Sequence, residues 1–407
     1  MIKKAVGMFI FTGSATFGVE AAGFKVDRIF ELTEDMREAN ALHFVKNRPD
    51  IPVMIPSEWE NKDILLSLKN REQYDLLYSN TPCSSLSQIN RNACADGKNN
   101  IHFYRVFETV RILQPKTFLI ENAPTLITVG YPILKEMINQ LSDLYNFTII
   151  RDMAKNHGVP MMRQRTIVIG WHKNVFEKKI PIVEMKYTKP IYINNVIEDL
   201  INVPLNSENN HEIITNDEWS EFEQYCSYVK ANQSILVALV ENFDKLKTSF
   251  NPAIFRIVDS LKKKIDSSQR YWDKSPFRPK LNSLAPSMTS VTRIVHPVLD
   301  RTLTVREYAR LMGYPDTFKF YSECKTPIIQ CLAQGVPKPF MQYATSEIMR
   351  ALNGQSNYLT FSEKNCLIFQ HHTKKQAQLF TKDEIFDKIN MLDIYSNLNS
   401  DLHVLTK

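Results

Sequence analysis

The stretch Asn80-Thr81-Pro82-Cys83-Ser84-Ser85-Leu86-Ser87 follows directly on the apolar run 74–78, Tyr-Asp-Leu-Leu-Tyr. A short apolar run closed by turn residues reads as a buried strand. In an open α/β sheet, ligands bind in the crevice at the carboxyl ends of the strands, so a cysteine there is a candidate nucleophile. Further along, the run 117–120 ends in Glu121-Asn122-Ala123-Pro124, and the run 166–169 is preceded by Gly158-Val159-Pro160-Met161-Met162-Arg163-Gln164-Arg165. A thiol, a carboxylate and two guanidiniums therefore stand at strand edges, in that order. Alone, the cysteine would read as a small buried hydrophobe, the glutamate as a loop cap and each arginine as a surface ion pair. The ordered set points to a reaction centre.

From residue 6 to about 169, short apolar runs alternate with longer helical patterns, the signature of a parallel sheet with crossover helices. Strands are predicted near 6–11, 26–31, 74–79, 117–120, 147–151 and 166–170, and helices near 16–22, 34–47, 101–113 and 130–144. Beyond Trp171 the texture is irregular to about 210. Residues 217–264 then read as two or three amphipathic helices, with Leu236, Leu239, Val240 and Phe243 at helical spacing. Helical patterns return at 305–312 and 339–352, and the tail from 355 carries a charged helical stretch. There is no internal repeat and no low-complexity tract.

The 407 residues are 43% hydrophobic and 23% charged, enough for a large domain with a smaller one and unlike a disordered chain. No run of about eighteen apolar residues marks a membrane span. Two lysines precede the first apolar stretch, as in a secretory signal, but Gly13, Ser14 and Glu20 interrupt it, and it reads as a strand and turn. An intracellular, cytoplasmic protein is expected. Six cysteines, at 83, 94, 226, 324, 331 and 366, form no Cys-x-x-Cys pair, so neither a zinc site nor a disulfide framework is supported, and most are expected to be buried. A net charge of +6 is compatible with a polyanionic partner without singling one out.

These blocks resemble the DNA cytosine-5 methyltransferase family, which carries Pro-Cys, then Glu-Asn-Val, then Gln-x-Arg-x-Arg. The likeness continues in Arg301-Thr-Leu-Thr-Val-Arg-Glu-Tyr-Ala-Arg-Leu-Met-Gly-Tyr-Pro315 and ends in Gln334-Gly335-Val336-Pro337, similar to the family's Asn-Ala-Val-Pro. It spans most of 8–352. The resemblance implies an α/β fold, a Rossmann-like S-adenosylmethionine-dependent methyltransferase sheet with a smaller target-recognition domain. Residues 1–171 would be the catalytic domain, 172–295 the target-recognition region, 296–354 the late motifs returning to the catalytic domain, and 355–407 an extension with no assigned role.

The activity implied is transfer of a methyl group from S-adenosylmethionine to carbon 5 of cytosine in DNA through a covalent Cys83 adduct. Carbon 5 is a poor nucleophile; a thiolate added at carbon 6 turns the ring into an enamine-like one. The resemblance gives Glu121 the protonation of ring nitrogen 3, Arg165 a contact to the base, and Arg163 support of the loop and backbone. Asn122 would brace its loop, and Met161 stands where the family has glutamine. On the donor side it implies Phe9 against the adenine, Gly13 for close backbone approach, Glu31 on the ribose hydroxyls, and Pro82 and Gln334 beside the donor. Phe11 and Ser14 replace two of the family's glycines and the acid of its Gly-Asp-Ile block is missing, so this pocket reads as divergent. Arg301, Thr304, Arg306, Glu307 and Arg310 are expected to brace the structure through ion pairs.

The partner implied is duplex DNA with the target cytosine flipped out, which would place the protein at the nucleoid. An accompanying restriction endonuclease and a monomeric chain are both compatible with this reading, and no membrane partner is expected. Three rival readings stand beside it. One is an RNA cytosine-5 methyltransferase, and another a nucleic-acid-binding protein with a vestigial methyltransferase domain. The third, a cysteine hydrolase drawing on His102 or His157, explains none of the later blocks.

Overall fold

The computed structural model describes residues 2–360, apart from 39, 87–91, 216–218, 270, 272 and 290–292, and the backbone of 365–371 and 378–381. Ser87, the start of the helical pattern at 217 and the charged helical pattern of the tail lie outside these residues. Seven strands form the centre: β1 (Lys4–Met8), β2 (Lys25–Phe30), β3 (Val53–Met54), β4 (Leu76–Asn80), β5 (Thr117–Asn122), β6 (Tyr145–Met153) and β7 (Gln164–His172). Their spatial order is β3-β2-β1-β4-β5-β7-β6. Two strands of the tail extend the sheet: β8 (Asn365–His371) lies parallel to β6, and β9 (Gln378–Thr381) antiparallel to β8.

Every residue of β4, β5 and β6 is buried, because helices cover both faces of the sheet; strands buried on both faces read as continuous apolar runs. One face packs on α1 (Ser14–Ala21) and the late helix Lys338–Leu352, through residues such as Val19, Phe340 and Met341. The other packs on helices Lys62–Arg71, Ile101–Leu113 and Tyr131–Leu141, through Leu65, Phe107 and Met137. Phe176, Ile180, Val183, Ile193 and Ile197 join the first of these cores. A third, separate core gathers Phe222, Leu239, Phe243, Ile254 and Val258 from a helical cluster that includes Ile235–Glu241 and Pro252–Asp266.

The structure departs from the predicted elements in identifiable ways. The sheet is not wholly parallel: β7 runs antiparallel to both β5 and β6. The predicted helix over 34–47 is confined to α2 (Ala41–Asn47), and helix Lys62–Arg71 and the two-residue β3 were not foreseen. The strand predicted at 6–11 ends at Met8, and Phe9 and Phe11 lie in a loop with φ of 57° and 53°. Of the late block, Arg301 and Arg310 make ion pairs, with Glu307 and with Asp199 and Asp316. Arg306 instead donates to the carbonyls of Asn209, Pro315 and Phe318. Thr304 caps helix Val305–Met312 in a reciprocal capping box with Glu307. Of the five cysteines described, all free, only Cys226 and Cys331 are buried. Among the described residues no helix is long and apolar enough to cross a membrane.

Candidate active site

In the register of the sheet Asn80 pairs with Glu121, and Glu121 with Ile167 two residues beyond Arg165. The ends of β4 and β5 and the beginning of the antiparallel β7 therefore share one edge. Cys83, partly exposed, lies three residues past β4 in a turn closed by Leu86 N donating to Cys83 O at 2.9 Å. Asn122 ties that turn to the end of β5: its Nδ2 donates to Thr81 O at 2.9 Å, while its Oδ1 accepts from Ala123 N at 2.9 Å. The Thr125 hydroxyl donates to Leu86 O and clamps the two loops a second time.

Glu121 is buried, with Arg165 Nε 2.8 Å from its Oε1. The guanidinium and the carboxylate form an ion pair inside the protein. Burial pushes the Glu121 carboxyl up, against the downward pull of Arg165 and Arg163. Burial also pushes the Cys83 thiol up; Arg165 and Arg163 draw it down, and Glu121 opposes them. The thiol and the carboxyl thus sit in one field under the same two guanidiniums. His102 accepts from Arg105 Nη1 at 3.0 Å, and His157 is bonded to Asp152 at 2.7 Å and stacked on Tyr343. Both imidazoles are thus engaged with other side chains, and neither is among the main groups that shift Cys83.

Arg163 holds the chain rather than facing outward. It is buried, and its guanidinium donates to Met288 O at 3.0 Å, Ala333 O at 2.8 Å and Gly335 O at 2.9 Å. Burial disfavours its charge, but a guanidinium keeps its proton, and three carbonyls satisfy it. Met161, where a glutamine was expected, still provides an acceptor: its Sδ lies 3.3 Å from Met288 N. Its neighbours Pro160 and Met162 pair with Ala285.

The residues expected at the donor lie along the carboxyl ends of β1 and β2. Gly13 has φ of 86°, and a Cβ there would stand 2.2 Å from the Phe44 ring, so only glycine fits. Glu31, 0% exposed, accepts from Ile10 N at 3.3 Å and Leu32 N at 3.1 Å, and burial raises its carboxyl to about 8. Phe9 is flanked by His102 and Trp59, with the Arg105 guanidinium 5.3 Å from its ring centroid. Trp59 donates its Nε1–H to Glu31 O at 2.8 Å. Pro82 is buried beside Cys83, and Gln334 is tied by its backbone carbonyl to Asn80 Nδ2 at 3.0 Å.

Trp59 and Arg105 were not singled out from the sequence, and His102 was named there only as a base for a cysteine hydrolase. The only signal was the spacing of His102 and Arg105, which puts them on one face of a helix. Asn40 Oδ1 and Arg105 Nε are among the buried polar atoms here with no partner among the described residues. With the Glu31 carboxyl and the glycine turn, such atoms suit a pocket for a polar, ribose-bearing molecule. An open cavity of about 670 Å³ lined by Leu205, His211, Arg306 and Arg310 shares no residue with this site.

A doubly wound sheet with an antiparallel seventh strand, polar side chains gathered at its carboxyl edge, defines an S-adenosylmethionine-dependent methyltransferase. The model of the C-5 cytosine-specific DNA methylase family matches residues 4–350, and the chain belongs to that family. Its reaction is therefore methyl transfer from S-adenosylmethionine to carbon 5 of cytosine in DNA. The chain is 24% identical over 344 residues to the type II methyltransferase M.FnuDI of Fusobacterium nucleatum, covering 78% of this chain and 86% of that protein. It is 24% identical over 387 residues to the type II methyltransferase M.XorII of Xanthomonas oryzae, covering 86% of each. In fold it is similar to a prophage-encoded DNA modification methyltransferase of E. coli, with a TM-score of 0.57, 21% identity, and 86% of this chain and 99% of that one covered.

Proposed function

We propose that Cys83 is the nucleophile of this methyl transfer, Glu121 its proton donor, Arg165 the group that fixes the base, and Arg163 the anchor that holds the surrounding turns. The observation that carries this reading is the shared field at one sheet edge, where Cys83 and Glu121 lie under Arg165 and Arg163. The Cys83 thiolate adds to carbon 6 of a cytosine flipped out of the duplex. The displaced electron pair is taken up at nitrogen 3 together with the proton of Glu121. S-adenosylmethionine supplies the methyl group, which carbon 5 accepts. A water molecule takes the carbon 5 proton, which expels the Cys83 thiolate and restores the 5,6 double bond, and nitrogen 3 returns its proton to Glu121. Burial raises the Glu121 carboxyl and so favours the form that carries this proton.

For the donor, the reading gives Glu31 the ribose hydroxyls, Phe9 the adenine, Gly13 the close backbone approach, and Pro82 and Gln334 the remaining walls. Residues 172–295 would read the target sequence, with the helical core around Leu239 and Val258 as their scaffold. Residues 296–354 would return the chain to the catalytic core, and 355–407 would be an extension. The type II methyltransferases among its relatives support a role as the modification enzyme of a restriction system; on this reading the chain would act as a monomer at the nucleoid.

The test is to incubate the protein with tritiated-methyl S-adenosylmethionine and mixed-sequence duplex DNA, and separately with duplex carrying 5-fluorocytosine. Label in the DNA and a covalent complex on the fluorinated duplex are expected, both lost in Cys83→Ser. Glu121→Gln should lower the rate by roughly 10²–10⁴-fold. Methylation that survives Cys83→Ser would remove the adduct from the mechanism.

A further inference from the structure

We propose that Asn40 and Gln334 form an amide pair that reads the amino-acid end of the methyl donor. Asn40 Oδ1 accepts from its α-ammonium, and the Gln334 side-chain amide donates to its α-carboxylate. The inference rests on the donor reading above and extends it to Asn40, a residue outside every motif of the sequence.

Asn40 directly precedes α2, with φ of 66°, and is 1% exposed. Asparagine at such a position ordinarily caps the helix through its side-chain oxygen. Here it makes no cap bond. Its Nδ2 instead donates to Gln334 Oε1 at 2.8 Å. A side-chain amide carries two N–H donors and one carbonyl acceptor. With Nδ2 turned to Gln334, the Asn40 carbonyl oxygen is left buried and without a partner among the described residues. An orphaned buried acceptor is costly in a folded protein and calls for a ligand donor. Across the pair, Gln334 Oε1 is held by Asn40, so the other half of that amide, the Nε2 N–H group, remains to donate. One acceptor beside one donor is the complement of an ammonium beside a carboxylate.

The pair is also in the right place. The Gln334 carbonyl accepts from Asn80 Nδ2, at the last residue of β4. The next residue, Gly335, lies so close to the start of α1 that a Cβ on it would be 2.6 Å from Ser14 Oγ. The two amides therefore sit between the ends of β1 and β4, where the strand order reverses and open α/β sheets bind their ligands. Glu31 and Phe9 lie toward β2, on the other side of β1. A donor laid across the end of β1 would place its nucleoside over Glu31 and its amino acid over the amide pair.

The experiment is calorimetric binding of S-adenosylhomocysteine and of its deaminated analogue, which has a hydrogen in place of the α-amino group, to the full chain. The unaltered protein should prefer S-adenosylhomocysteine by about tenfold to a hundredfold, the range of a hydrogen bond to a charged group. Asn40→Leu should bind both ligands alike, within about twofold, and Asn40→Asp should keep the preference. Equal affinities in the unaltered protein, or a preference that survives in folded Asn40→Leu, would overturn the assignment. Should Asn40→Leu not fold, the ligand pair on the unaltered protein and on Asn40→Asp decides. If S-adenosylhomocysteine does not bind at all, the donor reading itself fails, and the inference with it.

Discussion

Burial raises the Glu31 carboxyl to about 8, so near neutral pH it is mostly protonated, yet an ionised carboxylate is the better acceptor for two ribose hydroxyls. Donor affinity should therefore rise with pH up to about 8 and then level off. A calorimetric series with S-adenosylhomocysteine would follow it, and Glu31→Gln should flatten the curve; a flat curve in the unaltered protein would take Glu31 off the ribose. Stability has the opposite sign. A carboxyl whose folded pKa lies above its unfolded value, about 4.3, stabilises fully below that value and loses its contribution as pH rises through about 8. Thermal melts should show the ligand-free protein losing more stability than Glu31→Gln between about pH 5 and pH 9. Residues at strand ends, such as Cys83, Glu121 and Glu31, were legible in the sequence because a buried parallel strand announces where it stops. Asn40 and Arg105 were not, because what they do depends on partners that are not neighbours in the chain: Gln334 for Asn40, and Phe9 and Trp59 for Arg105.

At the scale of elements, strand positions were readable and strand direction was not. β7 is buried almost throughout, so it reads like its parallel neighbours. Its reversal is set by the turn through 154–163, held by Ala154 N donating to Arg163 O at 2.7 Å. Helix Lys62–Arg71 escaped notice because only Leu65 and Leu68 are buried in it, too few for an apolar stripe. Helix Val305–Met312 was legible to the residue from its helical pattern, whereas the capping box that Thr304 and Glu307 form at its start was not read from the sequence. Thr304→Ala should cost about 1 kcal/mol in urea unfolding. Glu307→Gln should cost more, about 3 kcal/mol, because it also leaves Arg301, 12% exposed, without its bidentate carboxylate. Equal losses from the two variants would mean that the ion pair adds nothing beyond the cap.

Across the whole molecule, the site draws on residues from Phe9 to Gln334, and the sheet that carries it is continued by the tail. β8 pairs with β6 in parallel, Leu367 opposite Phe147. A strand edge left bare is a template for pairing with other chains. A chain ending at residue 354 should therefore self-associate in light scattering where the full chain does not. A truncated chain that stayed monodisperse, with an unchanged melting temperature, would show the added strands to be dispensable. The same pairing sets an order of events during synthesis. About 220 residues separate the partners, and at roughly 5–20 residues per second a ribosome needs about 10–45 s to add them. For that interval the edge of β6 emerges without the strand that will cover it, so the nascent chain is most exposed to misassembly before its last segment is made.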